Sequence, residues 1–205
     1  IAELAVRHRD KGVVGFDYAG PEDGFPPAKA AETFAWLNQH LMPVTLHAGE
    51  AAGKESIRSA IVDGRTLRLG HGVRIIEDVF VESLDSGEYA FGEVATWVLE
   101  RGIALELSPS SNLQTGAIPG IENPTMKEHP FDDLYRLGFN VTVNPDNRLM
   151  SGTSITRELE LLTESFGYDL EDIELFQLNA ANAAFIDMDI RSEIIERITD
   201  AFARA

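Results

Sequence analysis

The sequence predicts a mixed α/β protein built on a parallel sheet, and three observations carry this prediction. Short apolar runs rich in Val, Ile and Leu recur along the 205 residues, and each ends in polar residues or glycine. Longer segments with helical spacing lie between these runs. Side chains able to bind metals or transfer protons collect at the ends of the short runs. Alternation of this kind is typical of parallel strands joined by right-handed helical crossovers.

Five apolar runs are predicted as buried parallel strands, because each is too short for a typical helix. They cover residues 13–20, 43–50, 67–72, 103–112 and 140–147. The carboxyl ends of such strands are where active sites form in α/β barrels and in open parallel sheets. We therefore expect the polar residues at these ends to form the functional site.

Helical segments are predicted before, between and after these strands. Residues 1–12 have the pattern of the last turns of a helix that Gly12 ends. The other helices are predicted over residues 30–40, 55–63, 93–101, 131–137, 153–166, 171–184 and 190–204. Because no repeat or linker interrupts this order, we treat residues 1–205 as a single domain.

Composition excludes several classes of partner and chemistry. The net charge of −17 argues against nucleic acid, because a nucleic-acid binder needs a basic face. The absence of cysteine excludes disulfides, cysteine-ligated zinc and a cysteine nucleophile, and it is compatible with the cytoplasm, where we expect this protein to act. No stretch approaches the roughly 20 apolar residues that cross a bilayer, so no membrane partner is expected.

Four side chains at the strand ends are candidates for metal chemistry. His47 and Glu50 lie three residues apart in LHAGE, His71 lies between two glycines in LGHG, and Asp146 follows the apolar VTVN. Taken singly, each has a structural alternative: a hydrogen-bonded loop histidine, a surface glutamate, a strand-end histidine or a loop-capping aspartate. Asp146 is expected to be buried at the end of its strand, and a buried carboxylate needs a cation or good donors. Together, two histidines and two carboxylates at successive strand ends fit a mononuclear metal hydrolase.

Other catalytic schemes have less support. The sequence contains no GxGxxG for a dinucleotide and no GxxxxGK[ST] for phosphates. It also contains no GxSxG, so a serine hydrolase of the nucleophile-elbow type is not indicated.

The ordered motifs DYAG, TLHAGE, LGHG, ELSPSSNLQTG and VTVNPDNRLMSGTS, with the later NAANAAF, resemble the adenosine deaminase branch of the amidohydrolase superfamily. The resemblance covers essentially the whole chain. It implies a (β/α)8 TIM-type barrel, here truncated to its last five strands and the carboxyl-terminal helices. It also implies one Zn²⁺ per active site and a small purine nucleoside as substrate, with adenosine hydrolysed to inosine and ammonia in purine salvage.

The resemblance also implies a role for each matching residue. His47 and Asp146 would be zinc ligands. Glu50 would donate a proton to purine N1, and His71 would orient the attacking water and help to deprotonate it. The backbone N–H of Gly20 would bind purine N3, and the side chain of Asn147 would face N7.

Three departures from the family pattern stand out. The family places His-x-His on its first barrel strand as two further zinc ligands, and this sequence has no His-x-His. His8, His40 and His129 are poor substitutes, since two fall in predicted helices and one in a polar stretch. With five strands instead of eight, we expect the sequence to be a fragment. Proline precedes Asp146 and would shift it slightly, and Asn147 replaces a second aspartate with an amide that can donate to N7.

Two other functions stay open on sequence alone. A sister deaminase acting on adenine, AMP or a modified adenosine would share these motifs. A barrel without catalysis, used for binding or assembly, would be expected to have lost one of His47, Glu50, His71 or Asp146, and all four are present.

Overall fold

The computed structural model describes residues 1–83, 88–118 and 120–204. Its main element is a five-stranded parallel sheet. In order across the sheet, its strands are β1 (Phe16–Tyr18), β2 (Val44–Ala48), β3 (Arg68–His71), β6 (Ala104–Leu107) and β7 (Val141–Val143). Each of the five predicted runs contains one of these strands. The predicted class, α/β with the strands and helices of a truncated (β/α) barrel, is confirmed.

Each predicted helical segment overlaps an observed helix, and the structure adds two short helices, at Pro109–Thr115 and Arg148–Ser151, that were not predicted. The helices are α1 (Ala2–Arg7), α2 (Ala31–Gln39), α3 (Lys54–Val62), α4 (Glu93–Glu100), α5 (Pro109–Thr115), α6 (Phe131–Arg136), α7 (Arg148–Ser151), α8 (Ile155–Phe166), α9 (Leu170–Ala183) and α10 (Met188–Phe202). Short 3-10 turns cover Arg9–Lys11, Pro27–Ala30, Val73–Asp78 and Met126–Glu128. No helix within the described ranges is long and apolar enough to cross a membrane.

Two parts of the prediction are corrected. The run over residues 103–112 is a strand only as far as Leu107, and Pro109 begins α5. Proline is favoured at the first helical position because its missing N–H would have no partner there. The second correction is an antiparallel hairpin of β4 (Val79–Ser83) and β5 (Glu88–Phe91), which was not predicted and pairs apart from the main sheet.

The apolar core lies between the sheet and its helices. Leu46, Leu69 and Leu105 on adjacent strands are fully buried, and Phe34 of α2 and Ile57 of α3 are buried in the same cluster. The opposite face of the sheet is polar: the Arg68 guanidinium pairs with the Glu106 carboxylate at 2.9 Å. Packing the apolar face against helices holds the strands in register, so their carboxyl ends meet at one edge.

Candidate active site

The four predicted side chains come together at the carboxyl edge of the sheet. His47 lies in β2, Glu50 follows it, His71 ends β3, and Asp146 follows β7. Glu50, His71 and Asp146 each offer a ligand atom within 4.8 Å of the others. His47 lies outside that group of three, but its ring stands edge-on to His71 with the ring centroids 5.0 Å apart.

His47 is the more open of the two histidines. An Asp17 oxygen lies 3.7 Å from its Nδ1, which is an ion-pair distance and too long for a hydrogen bond. Nδ1 is buried and has no hydrogen-bond partner among the described residues. The neighbouring Asp17 carboxylate raises the pKa of His47 above its usual value, against the opposing effect of burial.

Gly70 provides the space that the His47 ring occupies. The two residues are paired in the β2–β3 register. A Cβ on Gly70 would lie 3.1 Å from Nδ1 of His47 and 3.2 Å from its Cα, closer than ordinary van der Waals contact. A side chain at position 70 would therefore require His47 to move by a few tenths of an ångström.

His71 is almost completely buried, with 3% of its surface exposed. Burial lowers the pKa of His71, because desolvation disfavours the charged imidazolium. Its Nε2 lies 3.5 Å from Oε2 of Glu50. The backbone of His71 has a φ of +64°, in the left-handed region that residues other than glycine rarely adopt. Such strain is concentrated at functional sites, where the surrounding structure holds it in place.

Asp146 shares this backbone feature with His71. Its φ is +52°, and its side chain is exposed at the edge of the sheet, so the expectation that this carboxylate is buried is wrong. The Ser111 hydroxyl donates to Oδ2 of Asp146 at 2.6 Å. One carboxylate oxygen is thereby fixed, and the other is left for a second partner.

Glu50 is held from two directions. The Thr115 hydroxyl donates to its Oε1 at 2.8 Å, and Nδ2 of Asn112 approaches the same oxygen at 3.4 Å. The loop that carries Glu50 is held by Glu22, whose carboxylate accepts from the backbone N–H groups of residues 49–52 at 2.6–3.1 Å. Glu22 therefore positions Glu50 from the β1 side of the site.

Sequence reasoning missed Asn112, Thr115, Ser111, Glu22 and His129 as parts of this site. The first three lie on α5, and the run predicted as the preceding strand includes Ser111 and Asn112 but ends before Thr115. The pair Ser108-Pro109, a possible N-cap followed by proline at the first helical position, was the signal for that helix. Glu22 and His129 reach the site through contacts distant in sequence, and no local pattern indicates them.

The two residues predicted to bind substrate lie at the rim. Gly20 has a φ of +141° and lines a cavity of about 140 Å³ together with Tyr18, Phe25 and His47. Asn147 is the N-cap of α7, and its Oδ1 accepts from the N–H groups of residues 149 and 150, both at 3.2 Å. Because the oxygen is used in capping, the amide Nδ2 is the group that Asn147 can present to a ligand.

The donor set fits a divalent metal ion. The atoms that His47, Glu50, His71 and Asp146 offer are imidazole nitrogens and carboxylate oxygens, which suit zinc and related divalent ions. The buried, unpaired Nδ1 of His47 shows that this ring is not fully used by hydrogen bonds within the described residues. His8 and His40 lie just beyond the ends of α1 and α2, and His129 is buried behind Asn112, so the other histidines do not join the cluster.

The fold and the site together define a barrel-type α/β protein with a candidate metal centre at the carboxyl ends of its strands. The sequence model of the adenosine deaminase family matches residues 1–201. The chain belongs to the adenosine deaminase family.

Similarity to individual proteins agrees with this assignment. An adenosine deaminase of Mycobacterium ulcerans is 50% identical over 198 residues, covering 97% of this chain and 53% of that protein. An adenosine deaminase of Mycobacterium avium is 49% identical over 200 residues, with the same coverage. The chain thus spans about half the length of the curated relatives it matches.

Two solved structures share the fold at low sequence identity. An adenine deaminase from Arthrobacter aurescens superposes with a TM-score of 0.80 at 20% identity, covering 100% of this chain and 58% of that one. An amidohydrolase from Burkholderia ambifaria, solved with bound Zn, superposes with a TM-score of 0.75 at 20% identity, covering 100% and 56%.

Proposed function

We propose that this chain carries the site of a hydrolytic deaminase that converts adenosine, and also 2′-deoxyadenosine, to the corresponding inosine and ammonia, a reaction of purine salvage. The convergence of Glu50, His71 and Asp146 within 4.8 Å, in a chain of this family, is the observation that carries the proposal. The reaction adds water at purine C6 and releases the 6-amino group as ammonia. The protein must therefore supply a proton to the ring and position the water.

Glu50 is the proposed proton donor to purine N1. Thr115 and Asn112 both approach Oε1, so Oε2 is the oxygen left to hold the proton that is transferred. Protonation of N1 makes C6 more electrophilic, and a positioned general acid contributes roughly 10²–10⁴-fold to rate.

His71 is the proposed partner of the attacking water. Its Nε2 lies beside Oε2 of Glu50, and burial keeps the ring neutral. From this position it would orient the water toward C6 and help to remove its proton. Fixing both groups around one carbon replaces a bimolecular encounter with an effectively intramolecular one.

Zn²⁺ is the proposed metal, held by His47 and Asp146. When bound, such an ion lowers the pKa of water to about 7 and so provides a nucleophile at neutral pH. Asp146 is prepared for this role by Ser111, which fixes one of its carboxylate oxygens. His47 is prepared by Asp17 on one side and by the absence of a side chain at Gly70 on the other.

Purine binding is proposed at the rim, on Gly20 and Asn147. The cavity beside Gly20 offers the aromatic rings of Tyr18 and Phe25 as apolar contacts for a base. The Gly20 N–H would donate to N3, and Nδ2 of Asn147 would donate to N7, which is an acceptor.

The test is a turnover assay on the native protein, following the ultraviolet absorbance of adenosine and the release of ammonia. We expect Glu50→Gln to lower kcat by about 10²–10⁴-fold while the bound zinc, measured by elemental analysis, is retained. The matched control is Glu55→Gln, on the exposed first turn of α3, which we expect to keep wild-type turnover. Near-normal turnover of Glu50→Gln would remove Glu50 from this role.

A substrate panel tests the purine specificity. We expect adenosine and 2′-deoxyadenosine to be deaminated faster than adenine, AMP and N6-methyl-AMP. Preference for adenine, AMP or N6-methyl-AMP would identify a sister deaminase. No turnover of any of the five compounds by a zinc-loaded protein would favour a non-catalytic barrel.

A further inference from the structure

A chain of hydrogen bonds runs from the backbone of α6 into the candidate site. It links the N–H of Phe131, the ring of His129, the side chain of Asn112 and the ring of His71. His129, Asn112 and His71 are 2%, 0% and 3% exposed. Each member therefore depends on its neighbours for hydrogen bonding, because water does not reach them.

The Phe131 N–H determines which ring nitrogen of His129 carries the proton. Its Nδ1 accepts a hydrogen bond from the Phe131 N–H at 3.0 Å, so Nδ1 carries no proton. Burial lowers the pKa of His129 to about 3, so the ring is neutral at physiological pH. The single proton of the neutral ring must lie on Nε2.

His129 and Ser108 determine the orientation of the Asn112 amide. Nε2 of His129 and the backbone N–H of Ser108 both point to Oδ1 of Asn112, each at 3.2 Å. Two donors facing one atom identify that atom as the oxygen, because the amide nitrogen cannot accept. The NH₂ group of Asn112 is thereby directed toward the site.

The Asn112 amide in turn determines which ring nitrogen of His71 carries the proton. Nδ2 of Asn112 lies 2.9 Å from Nδ1 of His71 and can only donate to it. Nδ1 of His71 is therefore an acceptor, and the proton of this ring lies on Nε2, facing Oε2 of Glu50 at 3.5 Å.

We propose that His129 is a positioning residue that, acting through Asn112, holds His71 as the Nε2–H tautomer. This inference rests on the proposed function and narrows it: His71 keeps the proposed role of orienting the water, and it does not itself remove the water's proton. A ring with Nε2–H presents a donor to the cluster, so His71 acts as the group that orients the attacking water. Removal of a proton by Nε2 would require the opposite tautomer, which the Asn112 amide disfavours.

The test is nitrogen NMR of the native protein labelled with ¹⁵N in histidine. Long-range proton–nitrogen correlations distinguish a protonated ring nitrogen from an unprotonated one. His71→Asn and His129→Gln each remove one set of signals and so provide the assignments. We expect both His71 and His129 in the wild type to show a protonated Nε2 and an unprotonated Nδ1. A protonated Nδ1 on His71 in the wild type would overturn the proposal.

Asn112→Asp replaces the NH₂ donor that faces Nδ1 of His71 with a carboxylate oxygen, which is an acceptor, and it leaves the shape of the side chain nearly unchanged. Donors at Ser108 and His129 stabilise the new carboxylate, whose second oxygen then faces Nδ1 of His71. We expect a proton to appear on Nδ1 of His71. An unchanged His71 spectrum in a folded Asn112→Asp variant would contradict the proposal.

His129→Gln and His129→Leu form the matched pair. Glutamine keeps an N–H donor for Oδ1 of Asn112, and leucine fills similar space without one. We expect glutamine to preserve the His71 signals and leucine to shift them toward a mixture of tautomers. Equal effects of both variants would show that His129 acts only by packing. These readouts do not depend on turnover, so a wrong tautomer and a wrong activity are distinguishable results.

Discussion

The two sides of the candidate site are built differently. On the β1–β2 side, Nδ1 of His47 has no hydrogen-bond partner among the described residues and a half-exposed Asp17 lies 3.7 Å away, and the loop of Glu50 is held by the carboxylate of Glu22. On the β3–β6 side, His71 lies in a buried hydrogen-bonded chain with Asn112 and His129. The same residue type at equivalent strand ends therefore occupies opposite environments.

The pKa values follow from this difference. A nearby carboxylate raises the pKa of His47, whereas burial lowers the pKa of His71. The β1–β2 side, with His47, is the open side, and it suits binding of a cation or ligand. The β3–β6 side, with His71, Asn112 and His129, is the closed side, and it holds a fixed hydrogen-bond geometry. Buried polar networks are costly to break because a lost partner leaves an unsatisfied group.

The largest effect expected from the closed side is on the pH dependence of stability. The folded pKa of His129 is about 3, below its ordinary value of 6.5, so the unfolded chain binds the proton first. Stability from this group is complete above pH 6.5 and is lost as pH falls toward 3, by up to about 5 kcal/mol. Urea unfolding at a series of pH values measures this slope. His129→Gln should flatten it, and the exposed His40→Gln should not.

Removal of the central amide should have the next largest effect. Asn112→Leu leaves the Ser108 N–H and the His129 ring without their acceptor, and we expect it to lower the free energy of unfolding by about 3 kcal/mol. Chemical denaturation at pH 7 checks this value. The control is Asn38→Leu on the exposed face of α2. If Asn112→Leu and Asn38→Leu had equal free energies of unfolding, the buried hydrogen bonds of Asn112 would contribute no more to stability than an exposed amide does.

On the open side, Glu22→Gln should act locally. A glutamine oxygen can replace only part of the four contacts that the carboxylate makes to residues 49–52. We expect the amide hydrogens of these residues to exchange about 10-fold faster, equivalent to roughly 1.4 kcal/mol, without a comparable loss of global stability. Hydrogen exchange followed by NMR measures this. Asp23→Asn, one residue along, serves as the control.

The smallest effect is expected for Asp17→Asn. The Asp17 side chain is 53% exposed, and its one polar side-chain contact among the described residues is the long one to His47, so the midpoint of thermal unfolding should not change measurably. A destabilisation as large as that of Asn112→Leu would show that the two sides are equally dependent on their polar contacts.

Much of the fold could be predicted from the sequence because buried parallel strands are continuous apolar runs. Residues 43–50 and 67–72 are examples, and each contains an observed strand. The β4–β5 hairpin could not be predicted in this way, because its strands lack such a run and, in the part of the chain that the structure describes, pair with each other and not with the main sheet. Helix α5 is hard to recognise in the sequence, because residues 103–112 begin with an apolar run typical of a strand and the signal for a helix start is confined to Ser108 and Pro109.

The site was predictable where chemistry coincides with a strand end. His47, Glu50, His71 and Asp146 lie there, and parallel geometry brings such residues to one edge. Their catalytic and ligand roles remain predictions. Asn112, His129 and Glu22 were not predictable, since they reach the site through pairings 17 to 62 residues apart that no local pattern encodes.

Gly70 has a consequence for transferring this chemistry to other proteins. Its contribution to the site is the room in which the neighbouring imidazole lies. A designer who grafted only the histidines and carboxylates onto a new barrel, with alanine or valine at the paired position, would obtain an imidazole shifted by a few tenths of an ångström. The minimal recipe for this site therefore includes a position specified by what it lacks, and a search that scores only reactive side chains would overlook it.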